Sequence, residues 1–485
     1  MSRPGSTKML TETIKNNNHV AFPEAGSAFI FITLDAPGWK EAVMVCKNVE
    51  DVRKIIRDRN VSFIQFWFVD VLGILKSFTV TPSELEEGLV EGMGFDGSSI
   101  QGFARIEESD MIAKPDPTTF QFLPWRGTER PVGRMFCDIL NPDGSPYEGD
   151  PRYVLKRMLK RAAESGYTYF VGPEPEYFYF VSNEAPRIID QGGYFDTRPL
   201  DRGSDLRRDT IFALQDMGIQ IEYSHHEVAP SQHEIDMRYD EALKTADKLV
   251  TLRMVVKEVA RQHGYYATFM PKPILGENGS GLHCHQSLFR GKRNAFYDAR
   301  DKYHLSEVGK YYIAGIMKHA REITAVLNQW VNSYKRLVPG FEAPVYIAWA
   351  RRNRSTLVRV PMYKPGKEKA TRIEFRSPDP ACNPYLAFAV MLAAGLKGIE
   401  MKYPLAEPIE EDIYEFSAEK RRKKKIHELP GNLYEAISLV EKSALVREAL
   451  GEHIFNKFVE NKKIEWDRYR VHVSEYEIKK YLPIM

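Results

Sequence analysis

Four segments of the chain place ionisable side chains at every second position of a strand-like, otherwise apolar pattern, and this limits the folds open to it. In GPEPEYFYF (172–180), Glu174 and Glu176 are two apart with aromatics close behind. In HHEVAPSQHEIDMRY (225–239), Glu227 precedes an alternation of Glu234, Asp236 and Arg238 against Ile235, Met237 and Tyr239. In GSGLHCHQSL (279–288), His283, His285 and Ser287 share one face, with Leu282, Cys284 and Leu288 on the other. In TRIEFRSPDP (371–380), Arg372, Glu374 and Arg376 alternate with Ile373 and Phe375. Residues i and i+2 of a strand point the same way, so each segment turns charge to one face. One such strand is ordinarily surface. Four, loaded with ionisable groups, point to a shared polar cavity, as a curved sheet or barrel with a wet interior would provide.

Glu174, Glu176, Glu227, Glu234 and Glu374 with His283 would make an oxygen-rich set. Packed without cations these carboxylates repel one another, and several would keep their protons. Two divalent cations relieve that, each taking about three protein ligands plus water and substrate oxygens. Oxygen-dominated ligation with a single imidazole favours Mg²⁺ or Mn²⁺ over zinc. Basic residues cluster as well: the stretch 332–359 holds Lys335, Arg336, Arg351, Arg352, Arg354 and Arg359, and Arg372 and Arg376 follow. Guanidinium groups clamp carboxylate and phosphate bidentately. LVPGFEAP sets Glu342 at the tip of a Gly- and Pro-shaped loop. Hard cations beside such a cluster suggest phosphoryl transfer. The chain has no GxxxxGK[ST], so it is not a P-loop enzyme, and GENGSG (276–281) is only a weak anion-loop signal.

The remaining features bound the class. Net charge is +2 over 485 residues, which gives no global field for nucleic acid or anionic membrane. Cys46, Cys137, Cys284 and Cys382 are far apart and form no CxxC pair, which fits a reducing compartment. The N-terminus lacks the apolar core of a signal peptide, and LAFAVMLAAGL (386–396) is too short to span a bilayer, so a soluble cytoplasmic protein is expected. FIFITL (29–34) reads as a short strand, and 48–59 as a helix capped by Asn48. Two strands are expected in 63–80 around a turn near Gly73, and another in 134–140. A helix opens at Asp150–Pro151 and ends at Gly166; a second long one covers 240–264. The basic run RRKKK (421–425) reads as solvated surface.

GFDGSSIQGF (94–103), RIEESDM (105–111), GPEPEYF, HHEVAPSQHE, NGSGLHCHQS, NSYKRLVPGFEAP, RRNRS and RIEFRSPDPACNPYLAF together resemble type I glutamine synthetase, from about residue 48 to the end. The resemblance implies an α+β fold: a small β-grasp-like N-terminal domain (48–145) and a large catalytic domain (146–485). In the latter a curved antiparallel sheet forms a polar-lined half-barrel flanked by helices. Residues 1–47 would be an extension, partly disordered. The resemblance also implies a homo-dodecamer of two stacked hexameric rings with inter-subunit sites, ATP as co-substrate, and two to three Mg²⁺ or Mn²⁺ per site. Position by position, it groups Glu176, Glu227 and Glu234 around one cation and Glu174, His283 and Glu374 around another. Asn278, Gly279, Arg336 and Arg376 would hold glutamate. Glu222, Tyr239, His285, Ser287, Lys369 and Arg372 would meet the nucleotide. Asp96, Glu342, Arg354 and Arg359 would be catalytic, Asp96 from a neighbouring subunit and Glu342 on a closing flap. Arg105 would mediate feedback by glutamine, and Tyr414 is not expected to be adenylylated.

The expected reaction joins ammonia to the γ-carboxylate of L-glutamate through γ-glutamyl phosphate, giving glutamine, ADP and phosphate. Two other readings stand beside it: a γ-glutamyl ligase for a polyamine or other amine, and a catalytically inactive structural or regulatory relative. The full set of ligand and arginine positions weighs against the last. Asp96 and the acidic EESD segment suit ammonium better than a bulky amine.

Overall fold

The computed structural model describes residues 46–98, 100, 110–364 and 366–485. The expected strand at 29–34 and Arg105 lie outside them. Residues Ala42–Met485 form one compact unit.

The first sheet has six strands: β1 (Phe63–Val69), β2 (Leu75–Val80), β3 (Met93–Asp96), β4 (Asp110–Pro115), β5 (Gln121–Phe122) and β6 (Val132–Leu140). Their order is β2-β1-β6-β4-β3, with β5 on β6, and β1 and β6 are parallel. A helix, Val49–Asp58, precedes it; the Asn48 side chain accepts from the Asp51 N–H, as the sequence predicts. Val52, Ile64, Phe66, Met135 and Ile139 belong to the core cluster of this part.

The second sheet has ten strands: β7 (Thr168–Phe180), β8 (Ile221–His226), β9 (Gln232–Met237), β10 (Asp240–Glu241), β11 (Tyr266–Thr268), β12 (Leu282–Arg290), β13 (Arg293–Asn294), β14 (Tyr346–Ala350), β15 (Thr356–Arg359) and β16 (Ile373–Phe375). Its path is β14-β15-β16-β12-β7-β9-β8, curled into a half-barrel. β7 has thirteen residues and changes partners along its length, pairing with β12 over Thr168–Pro175 and with β9 over Glu176–Phe178. That change is what brings the ionisable faces of distant segments together.

Helices cover the apolar side. Pro151–Glu164 is capped by Asp150 and buries Val154, Leu155, Met158 and Ala162, while Leu159 is only partly covered. Pro384–Met401 is long and apolar enough to cross a membrane by composition, but 78% of it is buried, so it is a core helix. It crosses Glu307–Leu327 where Gly315 and Gly398 meet; a Cβ on Gly315 would stand 2.2 Å from the Ala394 carbonyl oxygen.

The β1–β2 turn anchors the first sheet to the second body. Asn383 Nδ2 donates to the carbonyls of Asp70 (3.1 Å) and Val71 (3.2 Å), and Gln329 Nε2 to that of Leu72 (2.9 Å). Gly73 sits at φ +79° with Asn383 Cα 2.8 Å from where its Cβ would be, so both conformation and space demand glycine.

Candidate active site

Strand register builds the site. Residues directly opposite in an antiparallel pair share a face. Glu174 lies opposite His283, and Glu176 opposite Glu234, which lies opposite His225. Glu374 lies opposite both His285 and Arg359. Because i and i+2 stay on one side, these become adjacent rows on one face of the curled sheet.

Apart from His285, the rows line a cavity of about 150 Å³, together with Glu227, Asn278, Gly279, Arg336, Glu342, Arg354 and Arg376. All six expected ligand side chains are therefore brought together, with the four expected glutamate contacts and three of the four expected catalytic residues. Asp96 is not among them. It ends β3 in the other sheet, exposed, where the Ser98 N–H donates to its carboxylate (2.8 Å). The expected nucleotide residues are also outside this cavity's lining. Glu222, Tyr239 and Lys369 are exposed, Ser287 is buried, and His285 and Arg372 form a layer behind Glu174.

Two groups of side chains have metal-ligand spacing in the cavity. Glu174, His283 and Glu374 present ligand atoms within 4.8 Å of one another, as the resemblance implies. The other group is His225, Glu227 and Glu234, with His225 in the place expected of Glu176. Glu176 Oε1 stands 3.8 Å from His283 Nε2, and its Oε2 already accepts from Gln232 Nε2 (2.9 Å) and the Gly281 N–H (3.0 Å). Asp236 adds a third acidic corner with Glu174 and Glu234. It is 3% exposed and stands beside Tyr223 and Glu234.

Electrostatics divide the carboxylates into two classes. Burial, then the neighbouring Glu176 carboxylate, push Glu227 up to about 8. Burial and Asp236 drive Glu234 well above the usual carboxylate range, and burial raises Asp236 to about 7. On the other side, burial works against ionisation of Glu374 but is outweighed by Arg376, then His285, His283 and Arg359, leaving it at about 2. Arg376 Nη1 donates to Glu374 Oε1 (2.6 Å), and Arg359 Nε to Oε2. Glu174 is likewise held well below its usual range, against burial, chiefly by His285 and His283. His285 Nδ1 accepts from Arg372 Nε (3.0 Å), so Nε2 carries the proton donated to Glu174 Oε1 (2.6 Å). In this half the guanidinium groups of Arg376 and Arg359 answer the Glu374 carboxylate directly, and an imidazole N–H answers Glu174. The Glu227–Glu234–Asp236 half is neutralised by retained protons, and its donor set of carboxylates with one imidazole fits a hard divalent cation.

Arg336 is fully buried and tied by its guanidinium to the carbonyls of Arg376 (3.1 Å), Ser377 (2.8 Å) and Pro378 (3.3 Å). Gly281 leaves it room: a Cβ there would stand 2.6 Å from Arg336 Nη2 and 2.9 Å from His283 Nε2. Glu342 adopts φ +55°, a conformation uncommon for a residue with a Cβ, which sets this loop apart from an ordinary turn.

Several lining residues escaped sequence reading. Gln232 and His225 were within its reach, because each is two residues from a glutamate already on the cavity face. Tyr194 and Phe195, with ring centroids 4.1 Å apart, come from an irregular loop with no period to reveal them.

Two family models match in chain order: the glutamine synthetase beta-Grasp domain over residues 60–142, and the glutamine synthetase catalytic domain over residues 148–481. The glutamine synthetase of Methanosarcina mazei is 52% identical over 444 residues, covering 91% of this chain and 99% of the relative. That of Thermotoga maritima is 51% identical over 439 residues, covering 90% and 99%. Among solved structures, Plasmodium falciparum glutamine synthetase superposes with a TM-score of 0.82 at 27% identity, covering 91% of this chain and all of that one. A GmaS/ADP complex superposes with a TM-score of 0.81 at 32% identity, covering 89% and 99%. With both domain models matched in order and half the residues shared with relatives along almost their whole length, the chain belongs to the glutamine synthetase family.

Proposed function

We propose that the chain ligates ammonia to the γ-carboxylate of L-glutamate, consuming ATP and passing through γ-glutamyl phosphate. The observation that carries this is the single cavity in which two carboxylate–imidazole groups face four arginines. The γ-carboxylate of glutamate is a poor electrophile because both oxygens are negative and no leaving group is present. Phosphorylation supplies one.

Each side chain then has a task its position supports. Arg336 and Arg376, with Asn278 and Gly279, hold glutamate; Arg354 and Arg359 stabilise the moving phosphoryl group. Glu222, Tyr239, His285, Ser287, Lys369 and Arg372 are proposed for the nucleotide, His285 also orienting Glu174. Two to three Mg²⁺ or Mn²⁺ ions, held by Glu174, Glu176, Glu227, Glu234, His283 and Glu374, would supply the positive charge that offsets the carboxylates and the phosphates. Glu342 and a neighbour's Asp96 accept the proton that ammonium must lose before it attacks. The Glu342 loop keeps water from the acyl phosphate.

The placement of Asp96 away from the cavity supports an active site shared between subunits; the dodecamer of two hexameric rings is proposed on the sequence resemblance. Arg105 is proposed as a feedback residue on the sequence resemblance alone. The limits of the two family matches support a boundary between 48–145 and 146–485. Four unpaired, buried cysteines support a cytoplasmic location.

Phosphate release measured with ATP and glutamate across a panel of amines tests the function. Ammonium should be the preferred acceptor. A polyamine or other larger amine used in preference would establish the second reading, and no turnover with any amine would refute catalysis.

A further inference from the structure

The segment Ile409–Phe416 lies outside the cavity and has no role in the reaction described above, yet it touches two of the loops that line it. On one side it holds the Arg354 loop. Asn353 Nδ2 donates to the carbonyls of Ile409 (3.1 Å) and Glu411 (2.5 Å). Glu410 accepts from the N–H groups of Arg351 (2.9 Å) and Arg352 (3.1 Å), and the Ile413 N–H donates to Ser355 Oγ (3.2 Å). On the other side it holds the Glu342 loop through one bond: the Tyr414 hydroxyl donates to the Ala343 carbonyl at 2.5 Å.

That bond is built in. Asp412 caps the single turn Ile413–Glu415 by accepting from the Tyr414 N–H (2.9 Å), which fixes the backbone that aims the ring. The ring packs against Tyr346, with centroids 5.8 Å apart. Ala343 is buried, so no water can replace the hydroxyl without rearrangement. It is also the residue after Glu342, whose φ of +55° must be held by its neighbours. The near end of the loop is secured differently, by the Lys272 ammonium 3.7 Å from the centre of the Phe341 ring.

We propose that Tyr414 is a positioning residue: its hydroxyl holds the Glu342 loop in register with the Arg354 loop, so that γ-glutamyl phosphate meets ammonia before it meets water. The inference rests on the function proposed above. In the competing step a water oxygen bonds to the acyl carbon, the bond from that carbon to the phosphate oxygen breaks, and phosphate leaves; glutamate is regenerated and one proton is released. ATP is then spent without glutamine.

The test is Tyr414→Phe in the full chain, which removes the hydroxyl and keeps the ring. Phosphate and glutamine are measured together with ATP, glutamate, ammonium and Mg²⁺. Glutamine per phosphate should fall to about half or less, and KM for ammonium should rise about threefold or more, with KM for ATP unchanged. A product ratio of one overturns the proposal even if kcat falls, because a merely structural role lowers the rate without uncoupling it. If that variant does not accumulate as folded protein, Asp412→Ala decides: it removes the cap that fixes the backbone carrying the Tyr414 ring, and a ratio of one there overturns the proposal equally. Failure of the wild-type protein to form glutamine would refute the functional reading itself. A coupled wild type beside an equally coupled variant refutes only the role of Tyr414.

Discussion

Glu227 and Glu374 line one cavity, yet the Glu227 carboxyl is pushed up to about 8 and that of Glu374 down to about 2. The difference lies in the neighbours: carboxylates around the first, guanidinium and imidazole groups around the second. The sign of the resulting pH dependence follows. Glu227 is raised from its usual 4.5, so between those values native metal-free protein holds a proton that the unfolded chain has released. Stability of the metal-free protein should therefore fall as pH rises from about 5 to 8. A divalent cation replaces that proton and should flatten the dependence. Thermal melts in chelator and in Mn²⁺ across this range check both statements; parallel curves would contradict them. Glu176 carries a second expectation. Glu176→Ala removes a carboxylate from the cavity and also leaves the Gly281 N–H without its acceptor. Mn²⁺ affinity should fall at least about tenfold, and stability by about 1–3 kcal/mol, read by calorimetry and by denaturation.

At the scale of elements, Gly281, the residue before β12, tests how closely the site is packed. Gly281→Ala places a methyl against Arg336 and His283. Turnover should drop about a hundredfold while the far-ultraviolet spectrum stays that of wild type; normal turnover would show that Arg336 is free to move. The elements are also where the sequence was most legible. Period-two alternation marked β7, β9, β12 and β16, because one face meets the core and the other the cavity. Asn48 and Asp150 announced their helices through capping chemistry. What stayed hidden has no period. Tyr194 and Phe195 arrive on a loop, and Tyr414 reaches Ala343 across 71 residues of chain. The approach of His225 to Glu227 and Glu234 depends on the register of β8 against β9, and local pattern carries no such information.

For the whole molecule, the separation of Asp96 from the cavity is the feature with the widest consequence. The role proposed for Asp96 places this exposed aspartate of the first sheet in a neighbour's site, which requires assembly. Asp96→Ala and Arg336→Ala should each be inactive alone. Dissociated, mixed and reassembled, they should recover about a quarter of wild-type activity, since some shared sites then receive both native residues. No recovery would contradict a composite site. The family resemblance supplied this idea from GFDGSSIQGF, and no strand or helix pattern within one chain could have done so.

The proposed reaction requires carboxylates from separate strands to converge on divalent cations. Anomalous diffraction from crystals soaked in Mn²⁺ tests it most directly. One peak is expected among Glu174, His283 and Glu374 and a second beside Glu227 and Glu234, each about 2.0–2.4 Å from its ligand oxygens. An anomalous map with no peak within coordinating distance of these side chains would contradict it.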